Sequence, residues 1–169
     1  MTKSNIEKYN ESVKMVICDK NFTNDASQEC VNGSTSFDMY LEKIKCYQIE
    51  LLNNLSISHA SISITNKEVY YLLIKLANLC LDILTRSKKT TKDLIITNNR
   101  KLFENKNKDY GNSFEDFAII GIIVRLNDKI NRIVNLSKSK SVVVDESVED
   151  TINDLYNYCI IGLMYKPNI

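Results

Sequence analysis

Glu146, Asp150 and Asp154 recur every four residues near the C-terminal end of the chain, with Asn157 next along the same line. On a helix this spacing puts the three carboxylates on one face, about 6 Å apart along the axis. Such a row can offer oxygens to a hard cation. Mg²⁺ in particular needs only a few carboxylates when a substrate phosphate completes its shell. The row has a local cost, because like charges at i, i+4 are unfavourable by roughly 0.2–0.5 kcal/mol per pair. A structural reading competes, in which Asp145, Glu146, Glu149 and Asp150 serve the positive end of the helix dipole. It accounts for the first turn and leaves Asp154 unexplained, since the dipole effect fades within about a turn.

A second stripe lies upstream. Gly121, Arg125, Asp128 and Arg132 fall at i, i+4, i+7 and i+11, with Lys129 beside them. Glycine inside a helix costs about 1 kcal/mol relative to alanine, so a small residue followed by cations suggests close approach of another helix or a ligand. Arginine suits bidentate contact with phosphate. The chain has eighteen Lys against four Arg, and two of those four arginines fall in this stripe. An Arg–Asp network tying two helices together would present the same residues, and both readings stand.

Helical periodicity supplies the elements that must carry these stripes. Tyr40, Ile44, Tyr47, Leu51 and Leu55, spaced by three and four, predict a helix over about 37–55. Thr65-Asn66-Lys67-Glu68 reads as a capping box opening a helix to about Arg86. Its polar residues Glu68, Lys75, Asn78 and Asp82 form one stripe and the rest is apolar, which makes it the expected centre of a bundle. Thr90-Thr91-Lys92-Asp93 starts a helix to about Asn105, which the polar run Lys106–Asn112 is expected to break. Ser113 opens a long helix to about Leu136, and residues 137–144 read as a loop. Asp145 is the expected cap of a last helix, about 146–164, with Val148, Ile152, Leu155, Cys159 and Leu163 as its core stripe. Residues 1–36 are polar and unperiodic and read as a flexible arm with one short helix around Ile6–Ile17; residues 37–169 read as a single helical domain. The Ser-Ile alternation at 56–64 reads as a loop.

Composition agrees with helices. With four Gly and one Pro in 169 residues, the chain lacks the turn residues of a sandwich or barrel. It also lacks the glycine signatures of Rossmann and P-loop phosphate cradles. The expected fold is an all-α bundle of four to five main helices. A net charge of +1 provides no general field for direct nucleic-acid binding or for an anionic membrane. The most apolar stretch, Val69–Leu84, is interrupted by Lys75, Asn78 and Asp82 and falls short of the roughly 18–20 residues that span a bilayer. Without a secretory apolar segment at its start, the chain is expected to be soluble and cytoplasmic. Five cysteines without a CxxC pair, together with the single histidine His59, do not supply a four-ligand zinc site, and the cysteines read as core or surface thiols.

Three blocks in order carry a family resemblance: Lys106-Asn107-Lys108-Asp109-Tyr110-Gly111-Asn112-Ser113-Phe114, then Val124 to Arg132, then Asp145 to Tyr158. Over about residues 104–164 the chain resembles the first of the nucleotide modification associated domains, which occur in phages and other viruses. That family is similar to the all-α, MazG-type nucleoside triphosphate pyrophosphohydrolases. The resemblance implies a MazG-like bundle with a site for a nucleotide or deoxynucleotide. MazG-type enzymes hold Mg²⁺ with acidic residues on two helices and release pyrophosphate from an NTP or dNTP. Carried over, Glu146, Asp150 and Asp154 would be metal ligands, and Asp128, Glu146 and Asp150 the catalytic carboxylates. Arg125, Lys129 and Arg132 would lie near the phosphates, Lys108, Asp109 and Tyr110 at the base or sugar end, and Asn157 beside the substrate. The chain departs from the MazG pattern in having Arg125-x-x-Asp128 for the earlier Glu-x-x-Glu, and Glu-x-x-x-Asp for Glu-x-x-Asp on the last helix.

The expected function is therefore a Mg²⁺-dependent hydrolase of nucleoside or deoxynucleoside triphosphates. The missing Glu-x-x-Glu motivates an alternative, a non-catalytic nucleotide-binding or sequestering module. A helical interaction protein without ligand follows if the charged stripes are only inter-helix salt bridges. Residues 1–103 carry no resemblance of their own and could add bundle helices, a homo-oligomer interface or a regulatory surface.

Overall fold

Helix capping and apolar stripes divide the chain into six helices in the computed structural model, which describes residues 3–19, 37–57, 67–110, 118–138 and 147–165. They are α1 (Asn5–Ile17), α2 (Phe37–Ile57), α3 (Lys67–Ser87), α4 (Lys92–Tyr110), α5 (Ala118–Lys138) and α6 (Val148–Leu163). No strand occurs among the described residues. Five helices of 16–21 residues and the 13-residue α1 make the expected all-α bundle. The expected Thr65 and Ser113 caps, His59, Cys30 and the loops at 58–64 and 139–144 lie outside the described residues.

The short helix expected in the polar arm is a core element. Ser4 and Glu7 close a capping box at its start, with the Ser4 N–H donating to Glu7 Oε2 at 2.8 Å. The hydrogen bonds from Ser4, its backbone N–H foremost, hold the Glu7 carboxyl below the usual carboxylate range. Tyr9, Ser12, Val13 and Val16 then repeat at helical spacing and are buried against α3, α4 and α6.

Helix α3 is apolar nearly all round, and so is buried nearly all round. Two members of its polar stripe, Asn78 and Asp82, are taken up by neighbouring helices. Asn78 Nδ2 donates to the Val16 carbonyl in the last turn of α1 at 3.0 Å, and Tyr40 OH of α2 donates to Asp82. The bundle has two central helices where the sequence suggested one, because α6 packs against α3, α5, α1 and α4. Gly162 lies at the crowded seam between them: a Cβ there would lie 2.9 Å from Leu73 Cδ1 and 3.3 Å from Ile122 Cγ2, so these side-chain ends would have to shift.

Several boundaries differ from the sequence reading: α2 runs to Ile57 and α5 to Lys138, so the first residues of the expected loops at 56–64 and 137–144 are helical. Helix α4 begins at the expected place, with Thr91 Oγ1 accepting from Leu94 N at 3.3 Å, but continues through Lys106–Tyr110. Polarity alone does not end a helix, and no Gly or Pro intervenes before Gly111. Helix α6 is capped by Ser147 instead of Asp145, in a capping box with Asp150. Four free thiols are described, Cys80 and Cys159 buried and Cys18 and Cys46 exposed, and burial pushes the first two well above the ordinary thiol range.

Candidate functional site

Asp150 stands at the third position of α6, and its Oδ2 accepts from Ser147 N at 3.2 Å and from Ser147 Oγ at 2.9 Å. This capping role accounts for the acidic first turn as a local device. One turn on, Asp154 faces two neighbouring helices. Lys129 Nζ of α5 meets its Oδ2 at 2.6 Å, and Lys106 Nζ of α4 lies 3.6 Å from its Oδ1. Asp154 and Lys129 are half-buried, at 22% and 21% side-chain exposure, so their charges are poorly screened by water.

Both carboxylates open onto a cleft of about 450 Å³ between α4 and α6. That size suits a small-molecule site. Leu94, Ile95 and Leu102 of α4 supply its apolar lining, and Asn98 and Asn99 of the same helix with Asp150, Asn153 and Asp154 of α6 supply its polar lining. Lys88 and Thr90 close one end. They come from the turn after α3, where Lys89 takes a left-handed φ of 47°.

A chain of amides runs from the polar lining into the core. Each NH₂ end is pinned by the carbonyl four residues back: Asn99 Nδ2 on Ile95 O at 3.0 Å, Asn153 Nδ2 on Glu149 O at 3.0 Å, Asn157 Nδ2 on Asn153 O at 3.2 Å. The oxygens are then placed to accept. Tyr9 OH donates to Asn157 Oδ1 at 2.7 Å, Asn157 Nδ2 to Asn99 Oδ1 at 2.5 Å, and Asn99 Nδ2 to Asn153 Oδ1 at 3.0 Å. The Tyr9 ring stacks on Phe103 of α4, with centroids 4.3 Å apart.

Of the expected site, Asp150 and Asp154 line the cleft, Lys129 meets Asp154 from α5 without lining it, and Asn157 joins the amide chain. Among the described residues, the others do not join them. Arg125 and Asp128 sit on the exposed side of α5, 4.0 Å from each other, and neither lines the cleft; Arg132 is half-buried on the same helix and does not line it either. Lys108 is exposed in the last turns of α4, where the backbone of Asp109 and Tyr110 also lies, their side chains being outside the description. Glu146 lies outside the described residues.

The acidic row is therefore not seen as one line: Asp150 is tied into a cap and Asp154 into two lysines. Among the described residues no group of three or more His, Cys, Asp or Glu is gathered as a metal site. No described helix is long and apolar enough to cross a membrane.

The sequence reading missed Lys88, Lys106, Asn98, Asn99, Asn153 and Tyr9. A signal existed for two of them. Asn99 stands at the core position between Ile95 and Phe103 and is 3% exposed, and Asn153 lies four residues before Asn157. A buried amide demands partners.

Residues 106–165, about a third of the chain, match the nucleotide modification associated domain 1 family, from the last turns of α4 through α5 and α6. No curated protein and no solved structure matches the chain.

Proposed function

We propose, on the premise that residues 106–165 form a nucleotide modification associated domain, that the chain binds a nucleotide or deoxynucleotide in the cleft between α4 and α6. The observation that supports this reading is the meeting of large apolar side chains with amides and carboxylates in one cleft of about 450 Å³. Leu94 and Leu102 are large apolar side chains left 51% and 38% exposed, and they offer a surface to the face of a base. Asn98 and Asn153 offer both donor and acceptor groups to its edge. Lys88 in the cleft, and Lys106 and Lys129 on Asp154, supply cations for phosphates.

Titration calorimetry with a panel of NTPs and dNTPs, with and without chelator, tests this reading on the full chain. The full chain is needed because α3, which packs on α6, lies outside the matched segment. Saturable binding that survives chelation and is lost in Lys88→Ala/Asn153→Leu is expected. No binding by a folded protein would overturn it.

A second reading, Mg²⁺-dependent release of pyrophosphate, is favoured by one observation: Asp150 and Asp154 line the same cleft. In it the two carboxylates, joined by Glu146, would hold the ion, which would polarise phosphorus for a carboxylate-oriented water. Pyrophosphate release in Mg²⁺, abolished in Asp150→Ala, would carry this reading. A panel without turnover would leave the chain as a binding module.

A further inference from the structure

The amide chain under the cleft has a direction, and its first donor is far away in sequence. Because a backbone carbonyl pins the NH₂ end of Asn157, Asn99 and Asn153 alike, none of the three can turn over without breaking its helix-side bond. Asn99 thereby spends both N–H groups, on Ile95 O and Asn153 Oδ1. Asn153, the last member, keeps one N–H and one Oδ1 lone pair uncommitted among the described residues, and it lines the cleft. At the other end, Tyr9 is fully buried and stacked on Phe103, so its hydroxyl has a fixed place. Burial also lifts the Tyr9 hydroxyl far above the ordinary phenol range, which keeps it a donor at every physiological pH.

We infer that Tyr9 of α1 is a positioning residue for base recognition: through Asn157 and Asn99 it fixes the donor–acceptor edge that Asn153 presents to a nucleobase in the α4–α6 cleft. The inference rests on the nucleotide-binding reading and adds to it a residue 148 positions from its partner, on the helix farthest in sequence from the matched domain. It makes α1 part of the site without touching the ligand. Removing the first donor leaves Asn157 Oδ1 without its partner and weakens the bonds that follow it along the chain, so the placement of Asn153 loosens at the far end while its helix-side bond stays.

The test compares Tyr9→Phe, which keeps the stacked ring and deletes the donor, with the wild-type chain. Two readouts are taken on each. The first is the affinity for a nucleoside triphosphate relative to inorganic tripolyphosphate, which has no base. The second is the position of the Asn99, Asn153 and Asn157 side-chain amide resonances in the ligand-free protein.

In Tyr9→Phe, roughly three- to tenfold weaker nucleotide binding is expected, the size of one net hydrogen bond, with tripolyphosphate affinity unchanged. The Asn153 amide resonances are expected to shift before any ligand is added, which a merely structural role for Tyr9 would not require. Unmoved Asn153 resonances, an unchanged nucleotide affinity, or an equal loss for tripolyphosphate would each overturn the inference. Equal binding of the two probes by the wild-type chain would overturn it as well, while leaving the cleft as a phosphate site. A wild-type chain that binds neither would sink the cleft reading itself, and this inference with it.

Should Tyr9→Phe fail to fold, the wild-type chain carries the test: the Asn157 side-chain amide resonances should move on titration with the nucleoside triphosphate and not with tripolyphosphate, and their staying in place would overturn the inference.

Discussion

Helix α5 carries two groups of charge one residue apart, and they live in different worlds. Arg125 and Asp128 face water, with side chains 66% and 57% exposed, and touch only at 4.0 Å. Lys129 turns inward to Asp154 at 2.6 Å, and both partners are about one-fifth exposed. Consecutive helical residues point about 100° apart, so Asp128 and Lys129 cannot both face α6. Residue type made the two groups look like one site; helical phase separates them. The lesson extends to α6, where two acidic residues one turn apart do unlike jobs. Asp150 ties down a helix start and Asp154 holds three helices together, while the specific polar surface comes from neutral amides.

The comparison can be broken by substitution. The largest effect is expected at Asn99, which is buried and bonded to Ile95 O, Asn153 and Asn157. Asn99→Ala leaves two amides short of a partner and should lower unfolding stability by about 2–3 kcal/mol in a urea titration. Lys129→Met comes next. It strips Asp154 of its nearer partner in a half-buried place, and a loss of about 1–2 kcal/mol is expected, discounted from the buried-pair range because water still reaches the pair. Arg125→Ala should stay within about 0.5 kcal/mol of the wild-type chain. A loss at Arg125 as large as that at Lys129 would erase the distinction between the two groups.

The smallest effect is a pH response at α1. The Glu7 carboxyl lies below its ordinary range in the folded chain because Ser4 donates to it. A depressed acid stabilises the folded state above its unfolded value, and that contribution is lost as pH falls through the folded one. Protection of the first-turn amides of α1, taken as the intrinsic exchange rate at each pH over the observed rate, should therefore fall on acidification, and Glu7→Gln should flatten that response.

Much of this was legible in the sequence, and the reasons for the rest are physical. Of the core stripe of α6, Ile152, Leu155, Cys159 and Leu163 are buried as the spacing of three and four demands, and Val148 in the first turn is partly buried. Thr91 was readable as the start of α4 because capping is local chemistry. The start of α6 was misread by two residues, since Asp145 and Ser147 are both good caps and only the reciprocal bond with Asp150 selects the serine. The continuation of α4 through Lys106–Tyr110 escaped because hydrophilic residues carry no periodic signal.

At the site, the pairing of a cation on α5 with an acid on α6 was readable as a type of contact. Lys129 in place of Arg125 was not, because phase depends on how the helices rotate against each other. The amide chain was invisible for a different reason: Tyr9 and Asn157 lie 148 residues apart, and no local pattern links them.

The most direct measurement is chemical-shift mapping of the full chain during titration with a nucleoside triphosphate. Resonances of Leu94, Asn98, Asn99, Leu102, Asn153 and Asp154 should move together and saturate, while those of Arg125 and Asp128 on the outer face of α5 stay in place. Shifts centred on Arg125 and Asp128 with the α4–α6 cleft unmoved would contradict the cleft as the nucleotide site.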